Sequence, residues 1–334
     1  MGLPRFYRSI AVAIALLSVS LLGIGTAAAG STKSATVPAG TTLRVADQFE
    51  GLELPLKLSG QATKLPFTTQ YSSFVGAPAV FQAFQAGAVD LSYVGDAGII
   101  PPQESGQNFV VVAAYKNTGG GWGILVGPGK SITSIKQLRG QKIGYEAGTA
   151  DQSYLLRLLK DNGLTPKDVT LVNLPAADIP AALHSGDIDA TPSEVLTSEE
   201  YEADNPGSKI ISTPGVYSGL DFIVSTKSAL QNAAKRAAIG DYLQALVRGD
   251  NWVNSHESTY VSAYYNGVLK LPTSLDKSIL ADTAPTHFVP IGPAVISTQQ
   301  GTTNLFTAAG AIPGHLDVAK VFTTTFNAVV QSAG

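Results

Sequence analysis

The stretch Ala83 to Leu91 (AFQAGAVDL) decides the fold, because a similar sequence recurs 99 positions later at Ala182 to Ala190 (ALHSGDIDA). Each stretch is typical of a helix end, a Gly in left-handed backbone at the helix stop, and the start of a buried strand. One such joint is common in α/β proteins. Two joints with matched Ala, Gly and Asp positions predict two α/β lobes built alike. Two lobes around one cleft are suited to enclosing a small ligand.

The N-terminus has the pattern of an export signal. Arg5 and Arg8 precede an apolar run from Ile10 to Ile24, and small residues at 27–29 offer a cleavage site. The run is shorter than the roughly 20 residues that span a bilayer, which favours a cleaved signal over a membrane anchor. We therefore predict a signal peptide at 1–29, a flexible leader at 30–41, and a periplasmic location.

The composition excludes several functional classes. The chain has no Cys, so disulfides, thiolate catalysis and a lipid-modified N-terminal Cys are excluded. Loss of Arg5 and Arg8 takes the formal charge from −3 to −5, which argues against a nucleic-acid partner. With 44% hydrophobic and 14% charged residues, the chain can build large cores. About 300 mature residues predict roughly two domains, and we expect a monomer.

Strand and helix patterns alternate along the mature chain, which predicts parallel sheets covered by helices. The predicted strands are Thr42–Ala46, Thr69–Phe74, Leu91–Val94, Phe109–Tyr115, Gly123–Val126, Lys142–Tyr145, Val169–Leu174, Ile188–Thr191, Lys209–Ser212 and Gly219–Val224. The predicted helices are Pro78–Gln85, Ile132–Leu138, Ala150–Asp161, Asp178–His184, Ala233–Trp252, Thr298–Ala309 and Asp317–Gln331.

Gly-rich segments divide this pattern into two lobes. Residues 117–121 (NTGGG) and 213–215 (TPG) bracket a self-contained run of strand–helix units. We predict a discontinuous first lobe at 42–118 plus 219–334 and an inserted second lobe at 119–218. The Gly-rich segments would be the hinges, although Gly there is also compatible with tight turns.

The segment 148–152 (GTADQ) is the best local binding motif. It follows a predicted strand and opens a helix, and Thr149 and Gln152 have capping-box spacing. Backbone N–H groups at such a helix start can hold an anion without a basic side chain. An ordinary helix cap explains the same residues.

Similar turns occur elsewhere in both lobes, at residues 76–78, 95–97 and 192–194. If two or more of the nearby acids face the ligand, the site would suit a cationic or zwitterionic group as well as an anion. Those acids are Asp96, Glu146, Asp151, Glu194 and Asp221. Aromatic walls could come from Tyr115, Trp122, Tyr145 and Phe222, which core or hinge packing would explain equally well.

Signatures of catalysis and of cofactor binding are weak. His184, His256, His287 and His315 have no metal-ligand spacing. The segment 123–131 (GILVGPGKS) mimics a phosphate-binding loop, but its glycines are one position too far apart. We predict no catalytic residues, no metal and no cofactor.

The order of several motifs resembles the periplasmic solute-binding proteins of ABC importers for aliphatic sulfonates, taurine and nitrate. The resemblance covers about Thr42 to Val330. It is carried by residues 43–48 (LRVADQ), 74–78 (FVGAP), 87–96 (GAVDLSYVGD), 135–144 (IKQLRGQKIG), 148–149 (GT) and 186–190 (GDIDA). It implies a type II periplasmic-binding-protein fold, in which each α/β lobe is a mostly parallel sheet and two hinge strands join the lobes.

The resemblance also implies a function. The protein would capture a small organic anion or zwitterion in the interlobe cleft and deliver it to an ABC permease in the inner membrane. The sulfonate binders place Trp-Asp-Pro where this chain has residues 191–194 (TPSE), so the sulfonate substrate does not carry over. Two alternatives share the scaffold: an enzyme of the desulfinase or pyrimidine-synthesis type, and a ligand sensor for a membrane kinase. The resembling desulfinases use a catalytic Cys, which this chain lacks.

The motifs and the resemblance together predict one set of candidate ligand contacts. Helix-start amides near Gly76, Gly95 and Gly148 would hold the anion, with side chains adding hydrogen bonds. The full set is Gln48, Phe49, Gly76, Ala77, Gly95, Asp96, Tyr115, Trp122, Gly148, Thr149, Ala150, Asp151, Ser193, Glu194 and Asp221.

Overall fold

The computed structural model describes residues 36–117, 121–282 and 285–334. Within them the chain forms two β-sheets flanked by helices, which confirms the predicted α/β class. The predicted signal peptide, the first part of the leader and residues 118–120 of the first hinge lie outside the described residues.

The first sheet has six strands in the order β11-β4-β10-β3-β1-β2. They are β1 (Thr42–Asp47), β2 (Thr68–Ser73), β3 (Leu91–Gly95), β4 (Phe109–Lys116), β10 (Leu220–Thr226) and β11 (His287–Val289). Strand β1 runs parallel to β2 and β3, whereas β10 is antiparallel to both of its neighbours. Strand β10 therefore brings the chain back into the first sheet from the second.

The second sheet has five strands in the order β7-β6-β8-β5-β9. They are β5 (Trp122–Val126), β6 (Lys142–Tyr145), β7 (Thr170–Asn173), β8 (Ala190–Glu194) and β9 (Lys209–Ser212). The predicted parallel pairing holds for β7-β6-β8, and β5 is antiparallel to β8 and β9. Both sheets are mixed. The exact lobe boundaries at 42–118 plus 219–334 and at 119–218 stay a prediction.

Helices connect and cover the strands. The α-helices are α1 (Glu53–Leu58), α2 (Ala77–Gln85), α3 (Ile100–Glu104), α4 (Ala150–Asp161), α5 (Ile179–Ser185), α6 (Val195–Asp204), α7 (Lys227–Gln231), α8 (Ala233–Ser255), α9 (Glu257–Tyr260), α10 (Asp276–Asp282), α11 (Pro293–Ala308) and α12 (Asn327–Ala333). A π-helix follows α9 at Val261–Val268. Short 3₁₀ helices lie at Ala62–Lys64, Ile135–Leu138, Pro166–Asp168, Ala176–Asp178, Thr273–Leu275 and Val318–Val321.

The two repeated stretches play the same structural role in their two sheets. Gly87 and Gly186 both adopt left-handed backbone, with φ of 64° and 81°. The carboxylates of Asp90 and Asp189 each accept the backbone N–H of a residue on the first parallel strand of the sheet, Arg44 at 3.0 Å and Lys142 at 2.8 Å. Each Asp thus fastens its helix–Gly–strand joint to the neighbouring strand.

Several predicted elements are wrong in extent, among them α11, which begins at Pro293 and not at Thr298, and α8, which extends to Ser255. Only the 3₁₀ helix Ile135–Leu138 forms in the segment predicted as a helix from Ile132 to Leu138, because Ser134 and Gln137 form a capping box there. The helix predicted over Asp317–Gln331 is interrupted, because Phe322 pairs with Val111 and Thr323 N–H donates to the Val111 carbonyl. Strand β8 begins two residues later than predicted and extends to Glu194.

Helix α4 of the second sheet packs against helices that cover the first. Leu156 of α4 lies in one apolar cluster with Ala97, Ile100 of α3, and Phe306 of α11. Arg157 Nη2 donates to Thr302 Oγ1 at 2.7 Å. The two sheet units are therefore joined by direct contacts on this side. No helix among the described residues combines the length and apolar character needed to cross a membrane.

Candidate functional site

A cavity of about 310 Å³ is walled by residues of both sheets. Its volume lies at the lower end of the roughly 300–1,000 Å³ typical of small-molecule sites. The first sheet contributes Tyr93, Tyr115, Ile223 and Phe288, and the second contributes Trp122 and Glu194. The rest of the wall comes from Gly51, Leu52, Pro55, Asn117, Gly121, Leu246, Asp250, Val253, Asn254, Tyr260, Tyr265 and Thr286.

Strand register places the first-sheet side chains on one face. Tyr115 pairs with Asp221 and with Phe288, and Tyr93 pairs with Ile223. Because alternate residues of a strand point to the same face, Ile223 and Asp221 share the face that looks into the cavity. The Tyr115 and Phe288 rings lie 5.5 Å apart.

Other parts of the cavity wall are also rich in aromatic rings. Tyr260 lies at the end of α9 and stacks on Tyr264 at 5.2 Å, and it meets Tyr265 edge-on at 6.3 Å. Trp122 stacks on Tyr217 at 5.1 Å. Burial raises the pKa of Tyr93, Tyr115 and Tyr260 well above the ordinary tyrosine value. These phenols therefore stay neutral and keep their O–H donors.

Two acids, Glu194 and Asp250, belong to the cavity wall. Glu194 retains accessible surface, yet burial raises its pKa. Both facts follow from its position on the wall of an internal cavity, where protein surrounds the carboxyl without covering it. Burial also raises the pKa of Asp250, to about 6, although the Thr286 hydroxyl donates to it and the charge of His287 favours its ionised form.

Asp221 and Asp151 add further negative charge near the cavity. Burial raises the pKa of Asp221 to about 7, and the charges of Asp96 and Glu194 act in the same direction. Burial, with Glu194 and Glu146, raises the pKa of Asp151 to about 7, against a hydrogen bond from the Glu146 N–H. In the part of the chain that the structure describes, no Lys, Arg or His lines the cavity.

The loop after β1 is tied down by its own hydrogen bonds. The Gln48 side chain donates to the Tyr93 carbonyl at 2.8 Å and accepts the Gly76 N–H at 2.9 Å. Phe49 and Glu50 both adopt left-handed backbone, with φ of 52° and 57°, and the Phe49 side chain is exposed. Consecutive non-Gly residues in this region are strained, a feature often found at functional sites. In the same loop, the Gln48 side-chain oxygen and the Gly76 N–H satisfy each other's hydrogen-bonding capacity.

At the start of α4, groups of residues 146–152 hydrogen-bond to one another. The Gly148 N–H donates to Gln152 Oε1 at 2.8 Å, and the Thr149 hydroxyl donates to the Glu146 carbonyl at 2.8 Å. The predicted capping box does not form: the Thr149 side chain caps no helix N–H, and Gln152 accepts from the Gly148 N–H and not from that of Thr149. The two best candidate anion donors, Gly76 N–H and Gly148 N–H, are thus already satisfied. An anion would have to displace Gln48 or Gln152.

Asp96 joins the two sheet units. Its carboxylate is buried and accepts from Ser153 of α4 at 2.6 Å, from Ser218 at 2.7 Å and from Thr302 of α11 at 3.2 Å. Arg157 of α4 lies 3.7 Å away. The predicted role of Asp96 as a hydrogen-bond partner of the ligand is not supported, because these residues already occupy both oxygens.

The sequence-predicted site residues fall into three groups. Tyr115, Trp122 and Glu194 line the cavity, and their contact with a ligand stays a prediction. Near the cavity, Ser193 donates to the Glu194 carbonyl, and Asp221 and Asp151 contribute charge. The remainder are not part of the cavity wall: Gln48, Phe49, Gly76, Ala77, Gly95, Asp96, Gly148, Thr149 and Ala150.

Sequence reasoning missed much of the cavity wall. The missed polar and aromatic residues are Tyr93, Asn117, Asp250, Asn254, Tyr260, Tyr265, Thr286 and Phe288. The cluster Tyr260, Tyr264 and Tyr265 was visible as an aromatic-rich segment after the long helix, and it was the available signal. Within the described residues no group of three or more potential metal-ligating side chains comes together.

Two sheet–helix units whose side chains meet around one cavity define a solute-binding type of architecture. The family model described as "NMT1/THI5 like" matches residues 76–256, and the chain belongs to that family.

Individual relatives agree with this assignment. A protein of Escherichia coli (strain K12), named for binding aliphatic sulfonates, is 25% identical over 314 residues, covering 92% of this chain and 95% of that protein. The alkanesulfonate-binding protein SsuA from Xanthomonas axonopodis pv. citri, solved bound to MOPS, superposes with a TM-score of 0.75 at 22% identity, covering 86% of this chain and 99% of that one. This structural likeness shows the periplasmic-binding-protein fold.

An enzyme shares the fold. The desulfurization enzyme DszB superposes with a TM-score of 0.58 at 14% identity, covering 87% of this chain and 99% of that one. The fold alone therefore does not separate binding from catalysis.

Proposed function

We propose that this protein is the solute-binding component of an ABC importer, and that it encloses a small organic anion or zwitterion of the sulfonate type. The observation that carries the proposal is the shared cavity, whose wall includes Trp122 and Glu194 of one sheet and Tyr115 and Phe288 of the other. A solute that touches both walls binds the closed arrangement more tightly than an open one. That differential affinity is what drives closure.

The family relationship supports the transport role. The relatives named above bind aliphatic sulfonates or alkanesulfonates by their names, and we extend that class of ligand to this chain. In the proposal, 1–29 directs export to the periplasm and is cleaved, and a monomer delivers its solute to an inner-membrane permease. The lobes at 42–118 plus 219–334 and at 119–218 would rotate about the segments that connect them.

We propose that the protein binds without catalysis. The acids of the cavity wall, Glu194 and Asp250, lie among tyrosines, and Asp250 accepts a hydrogen bond from the Thr286 hydroxyl. The chain also lacks the Cys on which the resembling desulfinases depend. These observations favour capture and release over turnover.

Thermal unfolding of the purified mature protein tests the proposal. A ligand present at 100 times its Kd stabilises the folded state by about 2.7 kcal/mol. We expect the unfolding midpoint to rise with one or more alkanesulfonates or amino-sulfonates, and to rise further with ligand concentration. No shift with any of them at millimolar concentration would contradict the proposal.

Two tyrosine variants test whether the ligand binds in the cavity. Tyr260→Ala removes a cavity wall, whereas Tyr201→Ala removes an equally half-buried helical tyrosine that does not line the cavity. Each variant is compared with its own ligand-free baseline. We expect the ligand-induced shift to be lost in Tyr260→Ala and kept in Tyr201→Ala.

A further inference from the structure

The cavity wall combines aromatic faces with carboxyl groups. Six aromatic side chains surround it: Tyr93, Tyr115, Trp122, Tyr260, Tyr265 and Phe288. They come from both sheets and from the segment after α8. Aromatic faces attract cations through the negative face of the ring, and rings on several sides form a cage for substituted ammonium groups.

The charged side chains on the cavity wall are acidic. Glu194 and Asp250 lie on the wall, and Asp221 lies on the strand face beside Tyr115. Two basic residues lie nearby but do not line the cavity. Arg157 lies against Asp96, and the exposed His287 lies near Asp250. Walls of low dielectric concentrate such a field within the cavity.

A solute with only a negative charge fits this environment poorly. Its sulfonate would lose water beside carboxyl groups of the same sign, and the amides of Gly76 and Gly148 are already satisfied by side chains. Moving a charge out of water is unfavourable unless an opposite charge or hydrogen bonds replace the water. The cavity supplies the partners of a cation.

We infer that the cavity selects solutes that carry a substituted ammonium group, packed among these rings and facing Glu194. The inference rests on the proposed solute-binding function and specifies its ligand class. A sulfonate would be accepted chiefly as part of a zwitterion, with its ammonium end in the cavity. Glu194 is the specificity-determining acid because it is the carboxyl group that the second sheet contributes to the cavity wall.

Two pairs of isosteric probes test the inference by titration calorimetry of the intact mature protein. In the first pair, 3-aminopropanesulfonate differs from butane-1-sulfonate by an ammonium in place of a methyl group. In the second pair, choline differs from 3,3-dimethyl-1-butanol by a quaternary nitrogen in place of carbon. We expect the charged member of each pair to bind at least tenfold more tightly.

A matched pair of variants assigns the effect to the cavity. Glu194→Gln removes the charge on the wall, and Glu200→Gln makes the same change at an exposed position outside the cavity. We expect Glu194→Gln to reduce the preference for each charged probe by about tenfold or more, which corresponds to about 1.4 kcal/mol. Glu200→Gln should leave it unchanged.

The outcomes separate this inference from the proposed function. If butane-1-sulfonate binds as tightly as 3-aminopropanesulfonate, and choline no better than its neutral isostere, the cation preference is overturned while sulfonate binding stands. A preference that survives Glu194→Gln also overturns the assignment to this wall. If none of the four probes binds at millimolar concentration, both the inference and the proposed sulfonate binding are contradicted.

Discussion

Replacing Asp221 with Asn should stabilise the ligand-free protein at alkaline pH. Asp221 Oδ1 lies 3.4 Å from the Tyr217 hydroxyl, and burial, with the charges of Asp96 and Glu194, raises its pKa to about 7. Asn has the same shape and still accepts a hydrogen bond, so Asp221→Asn removes mainly the charge.

The sign and size follow from the pKa. Because the folded-state pKa lies above the ordinary value of 3.8, the folded protein holds this proton more tightly than the unfolded chain. The associated stability is present below about pH 4 and is lost as the pH rises through about 7. A difference of roughly 3 pH units at about 1.4 kcal/mol each gives a ceiling of about 4 kcal/mol. Asp221 is only half-buried, so screening lowers the expected effect to about 2 kcal/mol.

Urea unfolding at about pH 4.5 and about pH 8 measures this effect. We expect Asp221→Asn to unfold at a higher urea concentration than the wild type at the higher pH, with a much smaller difference at the lower pH. Asp187→Asn, at an exposed position, is the control and should show no such pH dependence. A stability difference that does not change with pH, or an Asn variant less stable at about pH 8, would refute the reasoning.

The remaining predictions concern stability and are read from urea unfolding at neutral pH. Asp96→Ala should cost about 3–5 kcal/mol, because it removes the buried acceptor of the hydroxyl groups that join the two sheet units; a cost below about 1 kcal/mol would contradict that role. Gly123→Ala should cost about 1–3 kcal/mol, because its Cβ would lie 2.7 Å from Ile210 Cγ1. Gly301→Ala, in α11 with open space around it, should instead stabilise by about 0.5–1 kcal/mol, and a loss would refute this.

The sequence predicted the regular elements well where local pattern determines them. Strands β6 and β9 and helix α4 have the predicted bounds. The repeated joints at Gly87 and Gly186 have the predicted left-handed backbone. In these segments the apolar periodicity, the Gly stop and the tertiary contacts all favour the same structure.

Long-range contacts explain what the sequence could not predict. The segment around Phe322 leaves the helical pattern because it pairs with β4 more than 200 positions earlier in the chain. Gln48 and Asp96 have the residue types of ligand contacts, yet their side chains already hydrogen-bond within the protein. Gln48 accepts from Gly76, and Asp96 accepts from Ser153 and Ser218. The register that brings these groups together is a property of the fold, which no local spacing reveals.

The cavity wall is the clearest example of this limit. Tyr93 and Tyr260 are separated by more than 160 positions, and a π-helix follows Tyr260 where no simple periodicity applies. Trp122 was predicted as an aromatic wall and Glu194 as part of the turn after the strand ending at Thr191, and the pairing of β5 with β8 puts the two residues side by side. Tyr93 and Phe288 also lie on strands and were not predicted, because contacts between segments far apart in the chain place them at the cavity.

Trp122 offers the most direct measurement of solute capture between the two sheets. The chain has two Trp residues, and Trp252→Phe leaves Trp122, on the cavity wall, as the sole tryptophan emitter. We predict that 3-aminopropanesulfonate changes the Trp122 emission in a saturable way, with a midpoint equal to the Kd from calorimetry. Binding heat without any change in Trp122 emission would place the solute elsewhere and contradict the account.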